Sequence, residues 1–600
     1  MRTLLEEPVF THTLGLSTDQ QREQVLRWVV RLGEEGFARA AFPGVTSEHP
    51  TMGPFLAAFE TLATFDLGLW VKTGVQFGLF GGSIFFLGTE RHHALLDDIA
   101  AARRLGCFAM SETGHGSNVR QLGTRARYDA ATDEIVVHTP SPGDRKDYVG
   151  NAGAHGTLAT VFAQLEVDGA DHGVHAILVP IRDESGQPMP GVTLIDNGVK
   201  MGLNGVDNGR IAFDEVRVPR TALLDRFGRI EEDGSYASPI ASPSHRFFTM
   251  IGTLVGGRVS VANAALSTSK VALAIAIRYS HRRRQFGAPG EPEVTIASYP
   301  SHQRRLMPPL AMTLALDLAL EDLTRQYESL ALVETDKREL EALAAGMKAI
   351  TTWHCTATVQ ACREACGGAG YLAVNRFAAL KADSDVFTTF EGDNTVLLQL
   401  VTRGLLTGFR QQFADDRVTG FVRFLVDRAQ STFHRLNPLE TRATSTEALR
   451  DPTFQLDLLR HRTQDQLIGL ASQLRSLVGE GLDATQAFNQ VQNAALSLAH
   501  AHLEQHVLER VIEVEASALD PSLGPVLTTA RNLVALHRIE WDLGWFLEHG
   551  YMAGGQASAI RREVEALCGE LSAFGLGIVE AFRLPRLSAP IADLTEPAET

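Results

Sequence analysis

The sequence predicts an α+β multidomain protein: an N-terminal α-helical domain, a central antiparallel β domain, an α-helical bundle and an additional C-terminal α-helical domain. Three observations carry that prediction. At 600 residues the chain exceeds a single core, since one domain usually takes about 100–200 residues. Apolar residues recur at helical spacing to about residue 104, then give way to short strand-like runs. Helical spacing returns from about residue 246, with no internal repeat or low-complexity block to break the order.

The helical domain, 1–106, is read from Val25, Leu26, Val29, Val30 and Leu32, and from Phe55, Phe59, Leu62 and Phe65, two sets at helical spacing. In the β domain, 107–225, residues 124–128 and 134–139 read as strands joined by a turn at 130–133. Further strands are expected at 158–167, 174–181 and 210–218, with the run DNGVKMGLNGVDNGR as loop between the last two. The bundle, 226–410, opens on the irregular stretch DRFGRIEEDGSYASPIASPSH, whose length suits a lid or binding loop. Four or five amphipathic helices are expected in a C-terminal domain, 411–585, and 586–600 reads as a tail.

A net charge of -16 argues against nucleic-acid or acidic-membrane partners, so an anionic ligand needs a local basic cluster. Five scattered cysteines suit a reducing compartment. Cys362 and Cys366 with His354 match no zinc spacing, and no metal is expected. Residues 259–280 read as a buried bundle helix, so no membrane insertion is expected. With no signal peptide read and a C-terminal PAET that is no peroxisomal address, the expected location is cytoplasmic.

Four stretches could carry chemistry. CFAMSETGHGSNVRQLG, 107–123, is rich in small and hydroxyl residues that let backbone N–H groups approach a ligand, although an interdomain turn would look similar. It is neither a dinucleotide fingerprint nor a Walker loop. RYSHRRRQFG, 278–287, could clamp phosphates with its arginines and stack Phe286 on a base; a solvated helix end is the plain alternative. ACREACGGAGYL, 361–372, ends a helix in glycines that either expose backbone to a phosphate or simply stop the helix. FTTFEGDNTVLLQL, 387–400, places Glu391 between Phe390 and Gly392, ahead of an apolar helical run. Asp393 or Asn394 would cap that helix, leaving Glu391 either solvated or a base in an apolar pocket.

In their order these stretches resemble the acyl-CoA oxidases, within the acyl-CoA dehydrogenase superfamily. The matching residues are SETGHGSN (111–118), KDYVGNAG (146–153), GVKMGLNGVDNGRIAFDEVRVPR (198–220), RRRQFG (282–287), CREACGGAGY (362–371) and TTFEGDNTVLLQL (388–400). The resemblance covers roughly residues 50–410, and the further C-terminal helical domain is itself a feature of the oxidase branch. It implies FAD between the β domain and the bundle, and oxidation of acyl-CoA to the trans-2-enoyl-CoA with electrons passed to oxygen and hydrogen peroxide formed. It also implies Glu391 as the base that takes the α-proton while a hydride leaves the β-carbon for flavin N5, with Asp393 as the cap. An α-proton next to a thioester is only weakly acidic, so such a base must be desolvated and the forming enolate oxygen hydrogen-bonded. By position, the resemblance puts Ser111 against the flavin ring and Ser117 near the pyrophosphate, and counts Gly116, Tyr148 and Gly150 among the cofactor-binding residues. Arg283 and Phe286, with Gly367 and Gly368 close by, would hold the adenine–pyrophosphate half of a partner subunit's flavin, which implies a homodimer.

There are departures from the pattern. Dehydrogenase relatives carry Trp and Thr where this chain has Tyr148 and Gly150, and many oxidases carry a tryptophan pair in place of Asp147 and Tyr148. Gly150 agrees with the oxidase branch and is expected to leave space beside N5 that oxygen could use. Asp147–Tyr148 matches neither pattern. One alternative is therefore a dehydrogenase of the same fold that reduces an electron-transfer flavoprotein. Another is a non-catalytic scaffold, against which Glu391 and Gly150 weigh.

Overall fold

The computed structural model describes residues 1–252, 255–333, 337–415, 443–518, 520–585 and 587–593. The chain divides into two compact units. The first is Met1–Ala264 with Gln326–Lys337 and Ala382–Val386; the second is Ala265–Arg325 with Arg338–Lys381 and Phe387–Thr600.

In the first unit, Ser17 and Gln20 form a reciprocal capping box that starts the helix Thr18–Glu34. Trp28 from that helix packs edge-on against Phe65 of the helix Gly53–Phe65. Phe59 stacks on Trp70 of the helix Leu67–Thr73, with ring centres 4.7 Å apart. That helix widens into a π-helical segment, Gly74–Gly81, a geometry frequent at functional sites.

Nine strands follow: β1 (Gly106–Ala109), β2 (Arg125–Asp129), β3 (Glu134–His138), β4 (Lys146–Val149), β5 (Leu158–Val167), β6 (Ala170–Pro180), β7 (Val192–Asp196), β8 (Gly209–Phe213) and β9 (Val216–Pro219). One sheet has the order β1-β5-β2-β3-β9, with β6 also paired to β5; a second has the order β4-β8-β7. Val161, Ile177 and Val179 of the first sheet share a core with Val149, Ile211 and Phe213 of the second. Most pairings are antiparallel as expected, but β1 and β2 run parallel to β5. β5 is buried along most of its length, the usual setting of a parallel strand. β1, β4 and β7, of four or five residues each, are not among the strands expected from the sequence; β2 and β3 are as short, but the turn that joins them marks the pair as a hairpin. It also reads 210–218 as one strand, where a turn through left-handed Glu215 (φ 49°) separates β8 from β9.

The stretch expected as a lid is anchored. Arg229–Ile230 pairs with Tyr236–Ala237 in a short hairpin, and His175 Nε2 lies 2.8 Å from the Tyr236 hydroxyl.

The second unit is helical. The helix Arg338–Ala365 packs on Asn394–Asp415, which packs on Gln492–Ser517. With Pro452–Gly479, Gly524–Trp541 and Gly554–Ser572, the C-terminal part shows four long helices among its described residues. Residues 416–442 of the expected C-terminal domain and 594–600 of the expected tail lie outside the described residues. The apolar helix Gly256–Arg282, which enters this unit at Ala265, buries Leu266 and Ile275 completely, as expected of a bundle helix. All five cysteines are buried free thiols.

Candidate active site

β1 hands the chain to the loop that carries Ser111, Gly116 and Ser117. Ser111 is half-buried, while Gly116 and Ser117 are exposed. Nothing stands within 4 Å of where a Cβ on Gly116 would be, so the backbone there is open to a ligand. Glu112 braces the loop from inside. Its buried carboxylate accepts from Lys146 Nζ at 3.0 Å, from the Gly123 and Thr124 N–H groups at 2.7 and 2.9 Å, and from the Thr124 hydroxyl at 2.6 Å. Burial pushes the Glu112 carboxyl up, but the Lys146 charge and the other donors outweigh it and hold it below the usual range.

β4 leads to Gly150. Tyr148 and Asn151, on either side of it, have φ of 62° and 67°, a strained setting for residues with side chains. The Asp147 N–H donates to the Ser111 carbonyl at 3.1 Å, so Ser111 and Tyr148 lie on adjoining backbones. Behind the turn, buried Lys72 donates to Asn151 Oδ1 at 2.7 Å, lies 3.0 Å from His155 Nδ1, and pairs with the Asp207 carboxylate. The other oxygen of Asp207 accepts from the Ala154 and His155 N–H groups at 2.8 and 2.9 Å. Burial alone would raise the Asp207 pKa, yet the hydrogen bond to His155 and the charge of Lys72 hold it far below the carboxylate range. Val75, from the π-helical segment, stands against Gly150. A Cβ on Gly150 would stand 2.9 Å from Val75 Cγ2, so that side of the glycine is already filled.

In the second unit, the rings of Phe387 and Phe390 stack at 5.3 Å, and the chain then turns through Glu391 (φ 55°) and Gly392 (φ 98°). A Cβ on Gly392 would meet Leu397 Cδ2 at 2.8 Å, so the turn requires glycine there. Buried Lys348, on the helix Arg338–Ala365, donates to the Gly392 carbonyl at 2.8 Å and to Asn394 Oδ1 at 3.0 Å. Asn394 Nδ2 in turn donates to the Thr352 hydroxyl at 2.9 Å. Asp393 is the helix cap, its Oδ1 accepting from the Thr395 N–H at 2.9 Å. Glu391 is half-buried and stands on the left-handed corner, apart from the capping bonds of Asp393.

Arg283 and Phe286 lie beyond the helix Gly256–Arg282, on a turn closed by bonds from Gln285 N–H to the Val294 carbonyl (3.0 Å) and from Val294 N–H to the Phe286 carbonyl (2.8 Å). Both are exposed, Phe286 by 74%. Gly367 and Gly368 begin the 3₁₀ turn Gly367–Tyr371 after the helix Arg338–Ala365, with nothing within 4 Å of a Cβ on either. A rise of 1.5 Å per residue separates that turn from Lys348 by roughly 25 Å along the helix. The glycine turn and the Glu391 corner therefore do not meet.

Lys72, Glu112, Lys146, Asp207 and Lys348 hold these backbones; Glu112, Lys146 and Asp207 lie inside the quoted motifs, but the sequence assigns a role to none of the five. One signal was available. Lysine is scarce, seven of 55 basic residues, and Lys72, Lys146 and Lys348 are three of the seven.

The family model of the acyl-CoA oxidase C-alpha1 domain matches residues 251–406, that of acyl-CoA oxidase matches 451–588, and that of the acyl-CoA dehydrogenase middle domain matches 107–216. Peroxisomal acyl-coenzyme A oxidase 2 of Arabidopsis thaliana is 40% identical over 591 residues, covering 96% of this chain and 85% of that protein. The chain belongs to the acyl-CoA oxidase family. Human peroxisomal acyl-coenzyme A oxidase 3 is 35% identical, with 89% of this chain and 79% of that protein covered. The crystal structure of acyl-CoA oxidase 1 from Yarrowia lipolytica matches with a TM-score of 0.87 at 31% identity, over 98% of this chain and 86% of that one. Acyl-CoA oxidases are FAD-dependent oxidoreductases acting on acyl-CoA, so the expected fold class, enzyme class and cofactor stand. The cytoplasmic expectation does not stand, because the Arabidopsis and human relatives are peroxisomal by name. It rested on absent address signals, and an absent signal carries no information about compartment.

Proposed function

We propose that the protein oxidises a saturated acyl-CoA to the trans-2-enoyl-CoA with oxygen as electron acceptor and hydrogen peroxide as product, and that Glu391 takes the α-proton. The observation that carries this reading is the corner at Glu391 and Gly392, left-handed and fixed by Lys348, with helix capping left to Asp393. Such backbone costs about 1–3 kcal/mol and persists where neighbours over-determine it, typically at active sites. Phe387 and Phe390 supply apolar surface beside the corner, the surroundings a base needs to act on a weakly acidic C–H.

FAD, when bound, supplies the acceptor for the β-hydride. Ser111, Gly116, Ser117, Tyr148 and Gly150 would hold it in the first unit. Arg283, Phe286, Gly367 and Gly368 would hold the flavin of a partner subunit, in a homodimer of four-domain chains divided near residues 106, 225 and 410. The residues present suit the group: open backbone at Gly116, Gly367 and Gly368 offers N–H groups to phosphate, and exposed Arg283 offers a charge-assisted contact.

Glu391→Gln tests the reading. It should fold and bind FAD and acyl-CoA, while anaerobic bleaching of the flavin by acyl-CoA slows by about 10²–10⁴-fold. Asp393→Asn, which keeps the cap, should bleach at the wild-type rate. Rapid bleaching in Glu391→Gln would show that the base lies elsewhere. Peroxide released when air is admitted separates an oxidase from a dehydrogenase.

A further inference from the structure

We infer that Asp147 is a positioning residue, a two-sided clamp that ties the loop 111–118 to the backbone of Tyr148 so that the two elements keep one fixed spacing. The inference rests on the flavin seat proposed above. Asp147 is 1% exposed, and its two oxygens divide their partners. Oδ1 accepts from the Tyr148 N–H at 2.8 Å and from Asn197 Nδ2 at 3.1 Å. Oδ2 accepts from the Thr113 hydroxyl at 3.0 Å and from Arg210 Nε at 2.7 Å. Four donors match the acceptor capacity of a carboxylate, so the group is satisfied without water. Burial pushes its pKa up, but Arg210 and the other donors prevail and keep it below the usual range, ionised at neutral pH.

The clamp reaches both proposed flavin elements. Thr113 belongs to the loop of Ser111, Gly116 and Ser117, and is itself exposed, so its bond to Asp147 fixes the loop and not a core. Tyr148 is held at both of its peptides, by Asp147 at its N–H and by Asn208 Nδ2 at its carbonyl, 2.8 Å away. That double hold keeps φ at 62° and leaves the side chain 65% exposed. Its direction is therefore set by backbone bonds more than by packing of the ring. A tryptophan side chain at position 147, a donor only, could accept none of these four bonds.

The test uses apoprotein reconstituted with FAD, reading the dissociation constant by flavin fluorescence and the visible circular dichroism of the bound flavin. Asp147→Asn keeps an oxygen for Tyr148 but turns an NH2 group toward Arg210 and Thr113. Its FAD dissociation constant should rise about 10-fold or more, the effect of losing a hydrogen bond to a charged group, with an altered dichroism band. Thr113→Val cuts only the tie to the loop. It should raise the constant about 3–10-fold with the same change in the band, while the apoprotein melts as wild type does. If Asp147→Asn does not fold, Thr113→Val decides alone. Wild-type affinity and dichroism in Thr113→Val overturn the clamp and leave the flavin seat intact. A wild-type apoprotein that takes up no FAD overturns the seat, and the clamp with it.

Discussion

The Gly150 turn in the first unit and the Glu391 corner in the second each join left-handed backbone to a buried lysine, but the lysines hold different acceptors. Lys72 holds an amide oxygen and also pairs with the Asp207 carboxylate. Lys348 holds the Gly392 carbonyl and the Asn394 amide oxygen. The difference is one of consequence. Deleting Lys72 strands the buried Asp207 carboxylate, whereas deleting Lys348 releases the Gly392 carbonyl next to Glu391, so the first corner should report as stability and the second as geometry at Glu391.

The largest effect should come from Lys72→Met, at about 3–5 kcal/mol, because Asp207 is left buried without its cation. Denaturant unfolding measures it, and adding Asp207→Asn should recover part of the loss; a loss under about 1 kcal/mol would erase the contrast between the corners. The same pair gives a pH signature. The folded Asp207 carboxyl lies below its unfolded value of about 3.9, so its stabilisation is present above about pH 4 and is lost as pH falls further. Protection of the Ala154 and His155 amides against hydrogen exchange, taken relative to the intrinsic rate at each pH, should fall over that acid range because both are bonded to Asp207, with the slope flattened in Lys72→Met.

Lys348→Met should cost about 1–3 kcal/mol and slow flavin reduction at saturating acyl-CoA, since the Gly392 carbonyl is released. Unchanged reduction would mean that the Glu391 corner holds itself. Gly150→Ala should cost a similar 1–3 kcal/mol by crowding Val75, and Val75→Ala should relieve it in the double variant. Absence of that rescue would remove Val75 from the account. Smallest is Asp393→Ala, at about 1 kcal/mol of thermal stability with flavin reduction kept, because only a cap is lost.

What the sequence made legible was local chemistry. β5 is found at its expected limits because ten residues give apolar content and flanking turns room to register. Asp393 was readable as a cap because its partner amides lie two and three residues on. The order of the motifs pointed to the family and hence to Glu391. The supports were illegible for the same physical reason. Lys72 meets Asp207 across 135 residues and Lys348 meets Gly392 across 44, distances over which no periodicity or capping rule speaks. Val75 is a further case. Nothing beside Gly150 in the sequence says that a valine from a π-helical segment fills its empty side.

The helix Arg338–Ala365 has Lys348 at one station and delivers the chain to Gly367–Tyr371 at its end. A rigid span of roughly 25 Å converts angle into displacement, so a tilt of about 2° moves one end by about 1 Å relative to the other. A misplacement of about 1 Å can reduce turnover by about 10²-fold. Accuracy at Glu391 is then a question of leverage. Whatever grips the exposed ring of Tyr371 holds the long arm, and Glu391, the base proposed above, is close to the short one.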